Sequence, residues 1–175
     1  MKIGIIVPFS WSYPGAVVEL AENQAASLRA RGHEVKIVMG NDPPGALTRF
    51  LHPRSGRHGQ PPAHVIPVGR SIVVPANGSL PNIVLSPSSI ARIRSVLREE
   101  RFDIIHLHSS FAGLLGRAAR PSPGSGIVYC PHGWGFDRVA PKIPNGVTAA
   151  IERCLARNTD AIHLISEREW ESMIR

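Results

Sequence analysis

Cysteine is nearly missing from this 175-residue chain, which carries only Cys130 and Cys154. Neither lies in a metal or redox spacing, so a disulfide scaffold is excluded and both read as buried, reduced thiols of a cytosolic protein. Long apolar runs are missing too. No stretch approaches the ~18 residues that a membrane span needs, so any membrane contact is peripheral. The apolar stretch behind Lys2 stops at Pro8 with no small-residue cleavage site after it, which argues against a signal peptide. Acidic residues fall short of basic ones, 13 against 20, and the resulting +7 points to an anionic partner: nucleic acid, a phosphate-bearing substrate or an acidic membrane surface. Aromatics make up 6% of the chain, and the arginines are spread over loops and helices rather than interleaved with aromatic stacking surfaces. Nucleic-acid binding is therefore the weakest of the three.

What is present suits one α/β domain with a real core. Residues 3–7 form a continuous apolar run, as in a parallel strand covered on both faces. Val17, Leu20, Ala21, Ala25 and Leu28 then recur at helical spacing until Gly32 ends the helix, and residues 33–39 read as a second strand. Strand, helix and parallel strand make one right-handed βαβ unit. Residues 41–62 are rich in Pro, Gly, Arg and His without apolar period, and read as a long mobile surface loop. Short strands are expected at 64–68 and 71–74, with a loop at 75–87 holding the turn pair Asn77-Gly78. A helix capped by Ser88 or Ser89 runs to Arg101. Strands at 102–107, 126–130 and 160–164 then alternate with helices at 113–120, 147–157 and from 167 onward. The alternation predicts a doubly wound, mostly parallel, Rossmann-like sheet with helices on both faces.

Such sheets bind ligands beyond the carboxyl ends of their strands, which singles out residues 9–16, 108–111 and 131–137. Pro14-Gly15-Ala16-Val17 opens the first helix, where free amides suit a phosphate. It is neither a G-x-G-x-x-G nor a P-loop, and a plain helix-opening turn is the alternative. His106 and His108 lie two apart on one strand and so share a face. His132 and His163 also lie near strand ends, but no cysteine or carboxylate cluster is expected to join them, so no metal site is predicted and core or supporting roles are the default. Pro131-His132-Gly133-Trp134-Gly135-Phe136-Asp137 is the densest unusual sequence. It reads as a shaped loop with aromatic walls for a sugar or base, or as an aromatic loop folded onto its own domain. Residues 88–101 place Ile90, Ile93, Val96 and Leu97 on one helix face, with Arg92, Arg94, Arg98 and Arg101 largely elsewhere. That pattern fits a solvated outer helix or a basic helix lying on anionic lipid.

Six segments together resemble family 4 glycosyltransferases: residues 2–8, the turn at 12–17, Ala30-Arg31-Gly32-His33-Glu34-Val35, Phe102-Asp103-Ile104-Ile105-His106-Leu107-His108, Pro131-His132-Gly133 and residues 160–167. Within the family the chain is most similar to phosphatidylinositol mannosyltransferases and to capsule or exopolysaccharide enzymes. The resemblance implies that residues 1–175 are the N-terminal, acceptor-side half of a GT-B fold, lacking the second domain that holds the nucleotide. It implies transfer, with retention, from a nucleoside-diphosphate sugar to a lipid-linked or polysaccharide acceptor, with no cofactor in this domain and no activity from this half alone. Gly15 and Ala16 would lie near the donor diphosphate, and His132 would meet the transferred sugar. Asn77, Gly78 and Ser79, with Trp134 from the aromatic loop, would help form the acceptor site. Arg92, Arg94 and Arg98 would face the membrane, placing the protein in the cytoplasm, peripheral at the inner face. Ala16 stands where the family has a second glycine, and Ala76 and Asn82 stand where the inositol enzymes have an aromatic and a basic residue. Two other readings compete: a stand-alone module that binds anionic lipid or a partner chain, and half of a sugar-nucleotide epimerase, for which proton-abstracting groups are not evident.

Overall fold

A computed structural model describes residues 1–11, 15–40, 61–68, 73–74, 82–83, 87–119, 124–137 and 144–174. In chain order these contain β1 (Lys2–Ser10), α1 (Ala16–Ala30), β2 (Glu34–Gly40), β3 (Val65–Pro67), β4 (Val73–Val74), β5 (Asn82–Ile83), α2 (Pro87–Glu100), β6 (Ile104–His108), α3 (Ser109–Ala119), β7 (Gly126–Cys130), α4 (Asn145–Ala156), β8 (Ala161–Ile162) and α5 (Glu167–Ile174). Six strands form one sheet in the order β3-β2-β1-β6-β7-β8, while β4 and β5 pair separately and antiparallel. Every pairing in the large sheet is parallel.

Strand alternation divides the core in two. Ile3, Ile5 and Val7 of β1 and Val35, Ile37 and Met39 of β2 face α1, which buries Val18, Ala21 and Ala25 against them. Ile6, Val38, Ile105, Leu107 and Tyr129 face the other way, onto Ile93, Val96 and Leu97 of α2 and Ala112 and Leu115 of α3. Each fully buried aliphatic side chain contributes about 1.5–3 kcal/mol, so both layers are needed. Gly4 lies on the second face with Phe102 laid over it, and an added Cβ would sit 2.7 Å from the Phe102 ring. The same parity fixes the polar residues. His106 pairs with Ile5 and Val128, and His108 pairs with Cys130, so both histidines and Cys130 share the α1 face of the sheet.

Several expectations are corrected. Residues 108–111 are not a loop, because α3 begins at Ser109 directly after β6, through a left-handed Ser109 at φ 82°. Asn82–Ile83 form a strand where a loop was expected, and β8 is only two residues long. Ser88 and Ser89 fall inside α2, which starts at Pro87. Cys154 is exposed rather than buried; Cys130 is buried. The long loop expected at 41–62 falls outside the described residues except for its last two.

Candidate functional site

The sheet reverses direction of winding between β1 and β6. From β1 the chain steps outward to β2 and β3; it then returns to lay β6, β7 and β8 on the opposite side. Ligands of open parallel sheets bind beyond the carboxyl ends at this reversal. Gly15 sits there as the N-cap of α1, in extended conformation at φ −122° and ψ 147°, with no side chain among the described residues capping the helix. Its carbonyl accepts from the amides of Val18 and Glu19 at 2.9 and 3.1 Å. Ala16 follows as the first helical residue and is exposed. The first-turn amides and the helix dipole favour an anion at this end.

Beside them the α1 face of β6 carries a histidine cluster. Gln24, two turns into α1, contacts both members of the strand pair: its Nε2 lies 2.8 Å from His106 Nδ1, and its Oε1 lies 3.0 Å from His108 Nε2. His108 Nδ1 lies 2.8 Å from His132 Nε2, and those two rings stack with centroids 5.1 Å apart. His163, just past β8, keeps the strand register by donating its backbone N–H to Tyr129 O at 2.8 Å. Its ring centroid is 5.7 Å from that of His106. Burial disfavours the charged rings, and their mutual repulsion adds to it: His106 is pushed down to about 4 and His108 to about 2. His132 is also lowered, chiefly by burial, with Glu169 opposing the shift. All three are neutral hydrogen-bonding groups at neutral pH.

The expectation that no cysteine joins the histidines is overturned. His108, Cys130 and His132 each bring one ligand atom to within 4.8 Å of the others, a set that could hold a soft metal ion. Burial pushes the Cys130 thiol up to about 11, so it is protonated in the protein alone.

The loop after β7 is held in a demanding conformation. His132 and Gly133 both take positive φ, 52° and 94°. For histidine that costs on the order of 1 kcal/mol, and it persists only where neighbours fix it. Glu169 of α5 supplies the fixing. One carboxylate oxygen accepts from Gly133 N at 2.6 Å, the other accepts from Ile165 N at 3.0 Å, and its carbonyl accepts from the Trp134 indole at 2.8 Å.

The structure thus brings together His132, His106 and His108, and places Gly15 and Ala16 at the same carboxyl edge. Trp134 does not stand open as an aromatic wall: it is 6% exposed, stacked on Phe136, with its N–H engaged. It does line a cleft of about 370 Å³ with Arg117, Phe136, Glu152 and Met173, away from the histidines. Arg117 is buried there, paired with Glu152 at 2.7 Å and stacked over Tyr129. Arg92, Arg94 and Arg98 are exposed on α2, and Arg92 reaches Glu99 at 3.5 Å. Asn77, Gly78 and Ser79 lie outside the described residues. Sequence reasoning missed Gln24 and Glu169, since a polar residue on an amphipathic helix gives no sign of which distant strand it meets. Among the described residues no helix is long and apolar enough to cross a membrane.

Six parallel strands flanked by helices, with a glycine-opened first helix and a histidine-glycine loop at the carboxyl edge, are a Rossmann-like fold of the kind that makes up part of GT-B glycosyltransferases. The chain belongs to the glycosyl transferase 4-like domain family, whose model matches residues 15–175. It is 33% identical over 108 residues to the phosphatidyl-myo-inositol mannosyltransferase of Mycobacterium leprae, covering 62% of this chain and 25% of that protein. It is 28% identical over 107 residues to an Escherichia coli UDP-Gal:alpha-D-GlcNAc-diphosphoundecaprenol alpha-1,3-galactosyltransferase, covering 61% of this chain and 28% of that protein. Among solved structures, sucrose-phosphate synthase from Thermosynechococcus elongatus superposes with a TM-score of 0.63 at 14% identity, over 100% of this chain and 45% of that one. The chain therefore spans about a quarter of the length of these two curated relatives.

Proposed function

We propose that this domain is the acceptor-side half of a retaining glycosyltransferase that moves a sugar from a nucleoside-diphosphate sugar to a lipid-linked or polysaccharide acceptor. The observation that carries the reading is His132: a neutral histidine held in a left-handed turn at the carboxyl edge of the sheet, with neighbours that fix it from both sides. A residue placed at such cost in a loop is placed for contact with a ligand. His132 meets the transferred sugar, and the amides around Gly15 and Ala16 lie toward the diphosphate. Catalysis is electrostatic, by stabilising an oxocarbenium-like transition state. Glu169, which clamps the loop, has both oxygens taken by backbone amides, which speaks against its acting as a double-displacement nucleophile. A second, nucleotide-binding domain is needed for turnover, and this half alone binds donor weakly.

Turnover of a panel of nucleoside-diphosphate sugars, followed by mass spectrometry on the protein that joins this domain to a nucleotide-binding partner domain, tests the proposal. Transfer to a glycolipid or glycan acceptor is expected, and transfer to none of either kind refutes it. His132→Ala should cut the rate by ~10²-fold or more with little change in melting temperature. A variant that melts several degrees lower yet keeps its rate would show His132 to be structural.

The exposed arginine face of α2 favours peripheral contact with anionic lipid at the inner membrane face. Each arginine near the surface contributes about 1 kcal/mol, and binding weakens with salt. Sedimentation with neutral and anionic vesicles checks this: equal binding to both, or none to either, removes the lipid role. Anionic binding without any sugar transfer would favour the stand-alone binding module.

A further inference from the structure

We propose that Gln24 is a positioning residue that fixes which ring nitrogen of His132 carries its proton, acting through His108, with His106 on a second arm of the same amide. This rests on the reading of His132 as the group that meets the sugar.

A neutral imidazole has one N–H and one lone pair, and can exchange them between its two nitrogens. A carboxamide cannot: its nitrogen only donates and its oxygen only accepts. Among Gln24, His106, His108 and His132, only Gln24 has that fixed polarity. Its Nε2 donates to His106 Nδ1, so the His106 proton sits on Nε2. Its Oε1 accepts from His108, so the His108 proton also sits on Nε2. His108 Nδ1 is then a lone pair, and its 2.8 Å contact with His132 is satisfied only if His132 donates from Nε2. One amide therefore sets three tautomers as a unit, because rotating it would reverse all three.

The result matters at the site. With Nε2 committed to His108, His132 keeps an unprotonated Nδ1, which makes no hydrogen bond among the described residues. Such a nitrogen accepts from a sugar hydroxyl and is repelled by a phosphate oxygen. A histidine free to switch tautomer would offer a donor or an acceptor by turns.

The proton positions are read directly by long-range ¹H–¹⁵N correlation spectra of the imidazoles in this chain at neutral pH. In the unmodified chain His106, His108 and His132 should all carry Nε2–H. Gln24→Met keeps the packing length but removes both polar ends, and the Nε2–H form of His132 should fall to roughly half. Gln24→Glu keeps the acceptor and loses the donor: His108 and His132 should hold their tautomers while His106 alone moves its proton to Nδ1. Unchanged tautomers in Gln24→Met, or a reversed set in the unmodified chain, would overturn the proposal. Turnover separates it from the reading beneath it. If the tautomers shift as expected but His132→Ala leaves the sugar-transfer rate intact, the histidine's role falls while the amide control of its proton stands.

Discussion

Mild acid should destabilise this domain well before its carboxylates titrate. An unfolded histidine gains its proton near 6.5, whereas folded His106 does so only near about 4 and His108 near about 2. Between those values the unfolded chain binds more protons than the native one, so lowering the pH favours unfolding. The stability held by the two neutral rings is complete above 6.5 and is lost as pH falls toward the folded values. At about pH 5 each ring accounts for ~2 kcal/mol of loss, or ~4 kcal/mol together, a large share of the ~5–15 kcal/mol that holds a typical domain. His132 and His64 shift in the same direction and add to the trend. Glu100, held below its usual 4.5 by hydrogen bonds from Lys2 and Lys36, begins to lose its contribution only below that value, so the window from 6.5 to about 5 isolates the histidines. Urea denaturation at about pH 7 and about pH 5 measures the difference. Equal unfolding free energies, or imidazole spectra showing His106 and His108 protonated in the native state at about pH 5, would refute the reasoning.

Three substitutions test the supports of the site. Glu169→Ala removes the partner of the Gly133 and Ile165 amides; it should cost about 2–4 kcal/mol in denaturation and shift Trp134 fluorescence to the red as the loop loosens. Gly116→Ala should cost about 1–3 kcal/mol, because its Cβ would collide with the Leu107 side chain where α3 presses on β6, and a melting temperature within a degree of the parent would argue against that packing. Arg117→Met should cost about 3–5 kcal/mol by leaving Glu152 half-buried without its partner, and Arg117→Met combined with Glu152→Leu should recover much of it, as a double-mutant cycle would show.

The sequence made the layers legible because parallel strands and amphipathic helices carry their periods openly. The apolar runs at residues 3–7 and 126–130 and the stripe from Val17 to Leu28 all became the expected elements. Where two elements abut without a turn signal the period gave no boundary, so α3 was expected four residues late. The fate of Cys154 was unreadable for another reason: α4 lies at the margin of the sheet, and helical spacing alone does not say which helix has a second layer above it. At the site, the His132-Gly133 loop and the His106/His108 pair stood out by composition, but the link between them did not. It depends on β6 and β7 being neighbours in a register that sets His108 against Cys130, and on Gln24 reaching across from α1. Trp134 shows the converse, since an aromatic flanked by glycines looks equally like a binding wall and a core plug, and its burial with Glu169's carbonyl at its N–H distinguishes them.

The clamp on the His132 loop has a consequence for the order in which the protein is built. Gln24 is 84 residues from His108, while Glu169 follows Gly133 by 36. A chain leaving the ribosome can pair β1 with β2 and later add β6 and β7, which brings His108 to His132, yet the backbone of that loop lacks its Glu169 clamp until α5 emerges. Up to that point the left-handed turn is held by the His108 contact alone, with its Gly133 amide unclamped. The loop therefore sets in one late step, when a helix near residue 169 docks against a loop that has been waiting for it.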